Sequence, residues 1–324
     1  MFRFLIVRFG LIGLTLVVVS VAIFVVTEVL PGDVAWHILG QGATPENLHA
    51  VREKLDLNQP AHVRYLRWVG AWPDRDGALS GIIQGDWGDS YIQNRPVVEV
   101  VRPRLFNSAV LAAFAFLVAV PTAVVTGVWA GVRSNSVGDQ LVSTISLVGI
   151  SLPEFVTGVL LMVIFASTLR ILPSSSIILP GTTALTRPLI LVLPALTLTG
   201  VLFAYIMRMT RANVIEVMQA NYVRTAVLKG LPMRRIIFRH VIPNAMLPTI
   251  SVIAVNIGWM FGGLIIVENV FAYPGLGRLL LVSIQSRDVP LLQALALLIA
   301  VTYSLSNLLA DLSYGLLNPR IRIS

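Results

Sequence analysis

Residues 221–248 read NYVRTAVLKGLPMRRIIFRHVIPNAMLP, a basic interruption running between two long segments, 188–207 and 241–267, that carry no charged residue. Four more segments are charge-free or nearly so: 9–27, 105–132, 140–169 (broken only by Glu154) and 289–310. Each is about 19 residues or longer, and at 1.5 Å per residue a helix of that length crosses a hydrocarbon core of about 30 Å. Lipid offers the backbone no water, so such segments must close their hydrogen bonds internally, as helices. The sequence therefore predicts an all-α membrane protein with six transmembrane helices. The basic stretch becomes a loop at the membrane surface between the fourth and fifth.

Composition agrees: 56% of the 324 residues are hydrophobic and 12% charged, where a soluble domain carries about 25% charged residues. Basic residues set the expected orientation, because short cytoplasmic segments collect them. With six spans, the side holding the N-terminus has Arg3, Arg8, Arg133, Arg208, Arg211, Arg224, Lys229, Arg234, Arg235, Arg239, Arg320 and Arg322. The two short loops opposite have only Arg170, Arg187, Arg278 and Arg287. Both termini are thus expected in the cytoplasm. The net charge of +8 follows from this bias and calls for no nucleic-acid partner. The first apolar run, Phe9 to Thr27, is longer than the 7–15 residues usual for the core of a signal peptide, so it is read as an uncleaved helix.

Three parts follow: 1–30, the first helix; 31–104, an external segment; and 105–324, five helices with the loop 212–248. In the external segment Pro31-Gly32-Asp33 is expected to turn the chain off the first helix. Thr44-Pro45-Glu46 has the cap, first-position proline and first-turn acid of a helix start, which predicts a short helix over 45–56. Trp68, Trp72, Trp87 and Tyr91 suit the level of the membrane interface. The segment reads equally as a cap or docking surface and as an ordinary folded loop.

Chemistry-bearing groups are few. Ionisable residues inside apolar segments are functional suspects, and here they are Glu28, Glu154, Glu268 and Asp311. Glu28 and Glu268 are expected near external helix ends, within reach of water. Glu154 follows Pro153, which breaks the hydrogen-bond ladder, so Pro153 and Glu154 are candidate path-lining residues. There is no cysteine. His37, His49, His62 and His240 have no metal-ligand spacing, and no serine has a partner motif. No catalytic, cofactor or metal site is expected. A Walker A loop needs Gly before Lys and Ser or Thr after it, and neither Lys54 nor Lys229 is so placed. Any ATP-driven process therefore needs another subunit to bind ATP and magnesium.

The basic stretch has internal order. Residues 212–229 lack Pro and Gly and are expected to continue the fourth helix inward. Gly230 permits a left-handed turn, and Pro232 suits the first turn of a new helix. There Met233, Ile236, Ile237 and Val241 share one face, with Arg234, Arg235 and Arg239 elsewhere, until Pro243 ends it. Surface arginines alone would explain the charge, but not the Gly-x-Pro elbow or its Pro-Asn return. The pattern points to docking of a cytoplasmic partner.

This stretch resembles the cytoplasmic loop of ABC importer permeases, written EAA, three residues, Gly, nine residues, Ile, one residue, Leu-Pro. Aligning Gly230 puts Arg224, Thr225 and Ala226 at the EAA positions and His240, Ile242 and Pro243 at the closing ones, so the general motif is only partly kept. The YVRTA and KGL variant looks like the dipeptide/oligopeptide/nickel branch. Also similar are Pro31-Gly32-Asp33, Gly85 to Ser90, Arg208-Met209-Thr210-Arg211, Asn244 to Pro248, Glu268-Asn269-Val270-Phe271, Pro274-Gly275-Leu276-Gly277, Arg287 to Pro290 and the tail to Asn318-Pro319-Arg320.

The resemblance implies a permease subunit in a bacterial inner membrane, working with a homologous second permease, two cytoplasmic ATPases and an external binding protein. It implies a coupling loop at Tyr222, Arg224, Thr225, Ala226, Gly230, Pro232, Arg234, Arg235, His240, Pro243 and Asn244. Peptides are the cargo it favours. Nickel or another small solute stays open, because the binding protein does most of the selecting. An ion-driven secondary transporter would be expected to carry more intramembrane charge or two related halves. A membrane enzyme or a purely structural subunit lacks any supporting motif.

Overall fold

The computed structural model describes residues 2–29, 36, 39, 43–54, 57–74, 76–179 and 182–317. It is helical almost throughout. In chain order the helices are α1 (Phe2–Val29), α2 (Pro45–Lys54), α3 (Ala61–Val69), α4 (Val97–Val132), α5 (Val137–Ser151), α6 (Glu154–Leu161), α7 (Leu189–Met218), α8 (Asn221–Leu228), α9 (Met233–Ile236), α10 (Ile242–Val270), α11 (Leu276–Gln285) and α12 (Val289–Leu317). One hairpin, β1 (Asp89–Ser90) with β2 (Arg95–Pro96), pairs antiparallel in the register Asp89 to Pro96.

Among the described residues five helical stretches are long and apolar enough to cross a membrane: 6–27, 97–132, 189–218, 233–270 and 289–313. The segment expected as a single span over 140–169 is instead two pieces. α5 and α6, the latter prolonged by a wide π-helical turn over Met162–Thr168, meet at a 110° bend. The cause is local: Leu152 and Pro153 are extended, and Pro153 cannot donate to the ladder. Counted as one bent span, the pair makes six. The turn expected at Pro31-Gly32-Asp33, like His37 and the tail at Asn318-Pro319-Arg320 and Arg322, lies outside the described residues, as does the side chain of Glu28.

The chain divides into two compact units. One comprises residues 1–4, 106–278 and 302–324 and is built on the packing of α7 against α10 and α5. Its core gathers Leu111, Ala115, Ala119 and Ala123 of α4 with Leu191, Ile206 and Met207 of α7 and Leu264 and Val267 of α10. Small residues every fourth position along α4 set the approach. A Cβ on Gly127 would stand 2.8 Å from the Met207 carbonyl, and one on Gly131 would stand 2.7 Å from Val214 Cβ. In membranes, where apolar burial between helices gains little over lipid, such close backbone contact is what holds helices together.

The other unit comprises residues 5–105 and 279–301. Expected as a helix over 45–56, α2 forms, with Thr44 Oγ1 accepting from Asn47 N–H at 3.3 Å. Trp68, assigned to the interface from sequence, packs with Tyr65 of α3 on Phe24 of α1, and Tyr65 OH lies 2.9 Å from Ser20 Oγ. Gln293 of α12 donates to Thr27 Oγ1 at 2.8 Å. The hairpin closes on Asp288, a buried carboxylate. Ser90 Oγ donates to it, as do the N–H groups of Tyr91 at 3.1 Å and Ile92 at 3.4 Å. Burial, then the neighbouring Asp288, pushes the Tyr91 hydroxyl up to about 12, so the ring stays neutral at physiological pH. Replacing Asp288 by Ala removes the shared acceptor, and limited proteinase K digestion across exposed Ile92, Gln93 and Asn94 should then accelerate severalfold. Unchanged cleavage would mean that other contacts hold the hairpin.

Candidate functional site: the elbow between α7 and α10

The elbow belongs wholly to the first unit. α7 does not run unbroken to residue 229 as expected. It stops at Met218, Ala220 is extended, and α8 restarts at Asn221. The break turns Val223 and Ala226 of α8 into one buried cluster with Val214 of α7, Ile236, Val241 and Ala245. A continuous helix would have carried them away from it.

α8 ends on a Schellman motif. Gly230 has φ +74°, its N–H bonds to the Val227 carbonyl at 2.9 Å, and the Leu231 N–H bonds to the Ala226 carbonyl at 3.3 Å. The apolar contact that accompanies such a cap is made by Leu231, which packs against the Ala226 cluster. Pro232, extended, caps α9. Two expectations for α9 are corrected. Pro243 does not end the helix: the chain stays helical from Met233 to Val270, with a widened turn over Ile237–Val241 and Pro243 in the first turn of α10. The widened turn accommodates the proline and its missing N–H, and Asn244 Nδ2 donates to the His240 carbonyl at 2.7 Å. Met233, expected on the buried face with Ile236 and Val241, is exposed.

The outward face carries both signs of the sequence pattern. Tyr222, Arg224, Thr225, Pro232, Arg234, Arg235, Pro243 and Asn244 are exposed, His240 is half-buried, and Ala226 alone of the expected site residues is buried. Leu228 is 80% and Phe238 65% exposed. Pro232, Arg234, Arg235 and Phe238 line a shallow open concavity. A Cβ on Gly230 would meet nothing within 4 Å. The face is therefore apolar and cationic together, with empty space in front of its glycine.

Pro153 and Glu154 lie elsewhere. Glu154 is half-buried at the start of α6, and its Oε1 would be 3.4 Å from a Cβ on Gly263 of α10. Gly263 stands about 30 Å along α10 from Pro243, so this carboxylate and the elbow are separate places.

Two groups were misread or missed in the sequence. Glu268, expected within reach of water, is fully buried. It accepts from Ser108 Oγ at 2.5 Å, from Gly277 N–H at 2.7 Å and from Arg278 N–H at 3.2 Å, and so caps the start of α11. Ser108 Oγ in turn accepts from Leu276 N–H at 2.8 Å. The Pro274-Gly275-Leu276-Gly277 run exists to admit this: a Cβ on Gly275 would fall 2.1 Å from Glu268 Oε1, and one on Gly277 2.4 Å from Ile265 Cα. The second is Asp139, 1% exposed, whose partner is Arg211. Among the described residues no three His, Asp or Glu side chains gather as a metal site.

Two family models together span most of the chain. Residues 123–323 match the model for binding-protein-dependent transport system inner membrane components, and residues 1–112 match the N-terminal model of such components. The chain is 35% identical over 309 residues to the Sinorhizobium fredii protein named "Probable peptide ABC transporter permease protein y4tP", covering 94% of each. It is 36% identical over 314 residues to the glutathione transport system permease protein GsiC of Salmonella paratyphi A, covering 96% of this chain and 97% of the relative. The GsiC of Escherichia coli K12 is 35% identical over the same length, with the same coverage.

Proposed function

The chain belongs to the family of binding-protein-dependent transport system inner membrane components, and on that premise we propose that it forms half of an ATP-driven import path for small peptides. It is a multi-pass bacterial inner-membrane protein of a permease family. Relatives of like length are named for peptide and for glutathione, itself a small peptide, which supports peptides over nickel or other solutes as cargo.

Both termini face the cytoplasm in this reading, with 31–104 outside and the elbow inside. A second, homologous permease completes the path. An external binding protein delivers the peptide. Two cytoplasmic ATPases, which hold ATP and magnesium, receive one elbow each; neither Lys54 nor Lys229 of this chain sits in a Walker A loop. The carrying observation is the outward face of the elbow: exposed Tyr222, Leu228 and Phe238 beside Arg224, Arg234 and Arg235, on a scaffold fixed by the Gly230 cap. An exposed apolar patch rimmed by charge marks an interaction site. ATP drives transport only if it binds one arrangement of the assembly more tightly than the other; a rigid elbow is what lets closure of the ATPases be felt by α7 and α10. Pro153 and Glu154, at the bend of the broken span, are the proposed path-lining residues.

Purification of the chain from its native membranes in mild detergent, with co-purifying proteins identified by mass spectrometry, tests the assembly. Recovery of a second permease with ATPase subunits is expected. A stable homo-oligomer devoid of ATPase would overturn the reading and return an ion-driven carrier to consideration.

A further inference from the structure

We propose that Asp139 and Arg211 are positioning residues for transport, joining the elbow to the bent span so that movement of one is imposed on the other. The inference rests on the importer reading above and adds the route by which the elbow acts.

Arg211 lies on α7 one turn before Val214, the residue that α7 contributes to the elbow cluster. Its Nε donates to Asp139 Oδ1 at 2.5 Å and its Nη2 to Oδ2 at 2.8 Å, a two-pronged pair. Asp139 stands in the first turn of α5, where Ser136 Oγ accepts from its N–H at 3.2 Å. The carboxylate also accepts from Asn135 N–H at 2.9 Å, and Asn135 has φ +66°. The tight turn between α4 and α5 is thus tied directly to α7.

The surroundings make this one block. Val128 and Val132, at the end of α4, pack on the same elbow cluster. Arg133 lies over the Trp129 ring at 5.5 Å, and a Cβ on Gly138 would stand 2.4 Å from that ring, so the start of α5 rests on the end of α4. α5 then leads, without interruption, to the 110° bend at Leu152-Pro153 and to Glu154.

Chemistry says why the link is ionic. Apolar contact between neighbouring helices has no fixed direction of its own. A guanidinium held on both oxygens of one carboxylate has a fixed direction as well as a fixed distance. Shear between α7 and α5 would strip a carboxylate that is 1% exposed of its partner, which opposes such movement.

The test uses the complete complex (both permeases, ATPases and binding protein) in proteoliposomes, with radiolabelled glutathione and a labelled tripeptide as probes. Wild-type complex must import one of them on ATP; if it does not, the peptide-import reading above fails, and that failure is visible without any variant. Asp139→Asn and Arg211→Gln should assemble and hydrolyse ATP near the wild-type rate while peptide imported per ATP falls at least tenfold. Arg211→Lys, which keeps the charge without the fork, should fall between. Unchanged peptide per ATP overturns the proposal. So does loss of insertion or assembly in both Asp139→Asn and Arg211→Gln, or a fall of hydrolysis and import in step, since the pair would then serve only folding.

Discussion

Replacement of Gly230 by Trp is expected to abolish peptide uptake while the chain stays in the membrane at near wild-type abundance. Two effects are separable. The left-handed backbone at φ +74° costs any non-glycine residue roughly 1–2 kcal/mol, and Ala incurs that cost alone. The chain offers an added Cβ no further obstacle, because nothing lies within 4 Å of it. A bulky side chain therefore does its damage in the space outside, which under the docking reading belongs to an ATPase. Gly230→Ala should keep a substantial fraction of uptake and still co-purify with the ATPases. Gly230→Trp should lose both. Uptake measurements beside membrane immunoblots and pull-down of the ATPases distinguish the cases. Equal losses in both variants would assign the whole effect to backbone strain, and wild-type uptake in the Trp variant would remove the elbow from the interface.

The elbow was legible in the sequence because its signals are local. A glycine at a helix end and a proline two residues later each act through their own backbone, so the cap at Gly230 and the restart at Pro232 could be read directly. What was not legible depended on partners far along the chain. No proline or glycine marks the break at Gln219-Ala220; it arises because Val223 and Ala226 must fold back onto Val214. Pro243 looked like a stop, but the widened turn over Ile237–Val241 just ahead of it carries the helix past the proline. The five long apolar stretches were visible as charge-free runs, whereas the bend at Pro153 was visible only as a possible kink. Asp139 and Arg211 stand 72 residues apart, and Asp288 stands 198 from Ser90. No periodicity joins such pairs. Glu268 could have been found: two glycines at 275 and 277 beyond a lone intramembrane acid signal a close backbone approach around it.

Glu268 also carries the largest stability effect expected in the molecule. Its side chain is fully buried and accepts from Ser108 Oγ and from the N–H groups of Gly277 and Arg278. Glu268→Ala leaves these three donors without it, at about 1–3 kcal/mol each, so the loss should be about 3 kcal/mol or more. Around the same group Asn107 Nδ2 donates to the Pro274 carbonyl at 2.9 Å and Tyr273 OH to the Asn107 carbonyl at 2.8 Å, so the damage would loosen the whole segment from 272 to 278. The expected result is a melting temperature several degrees lower in detergent, with less folded chain recovered from the membrane. Gly275→Ala should reproduce it, because its Cβ would occupy the place of Glu268 Oε1. The decisive variant is the double one. If the glycine serves only to admit the carboxylate, Glu268→Ala combined with Gly275→Ala must cost clearly less than the two single losses added together. Additive losses would show the glycine and the acid to be independent, and a Glu268→Ala protein that melts like wild type would mean the cap on α11 is held by something else.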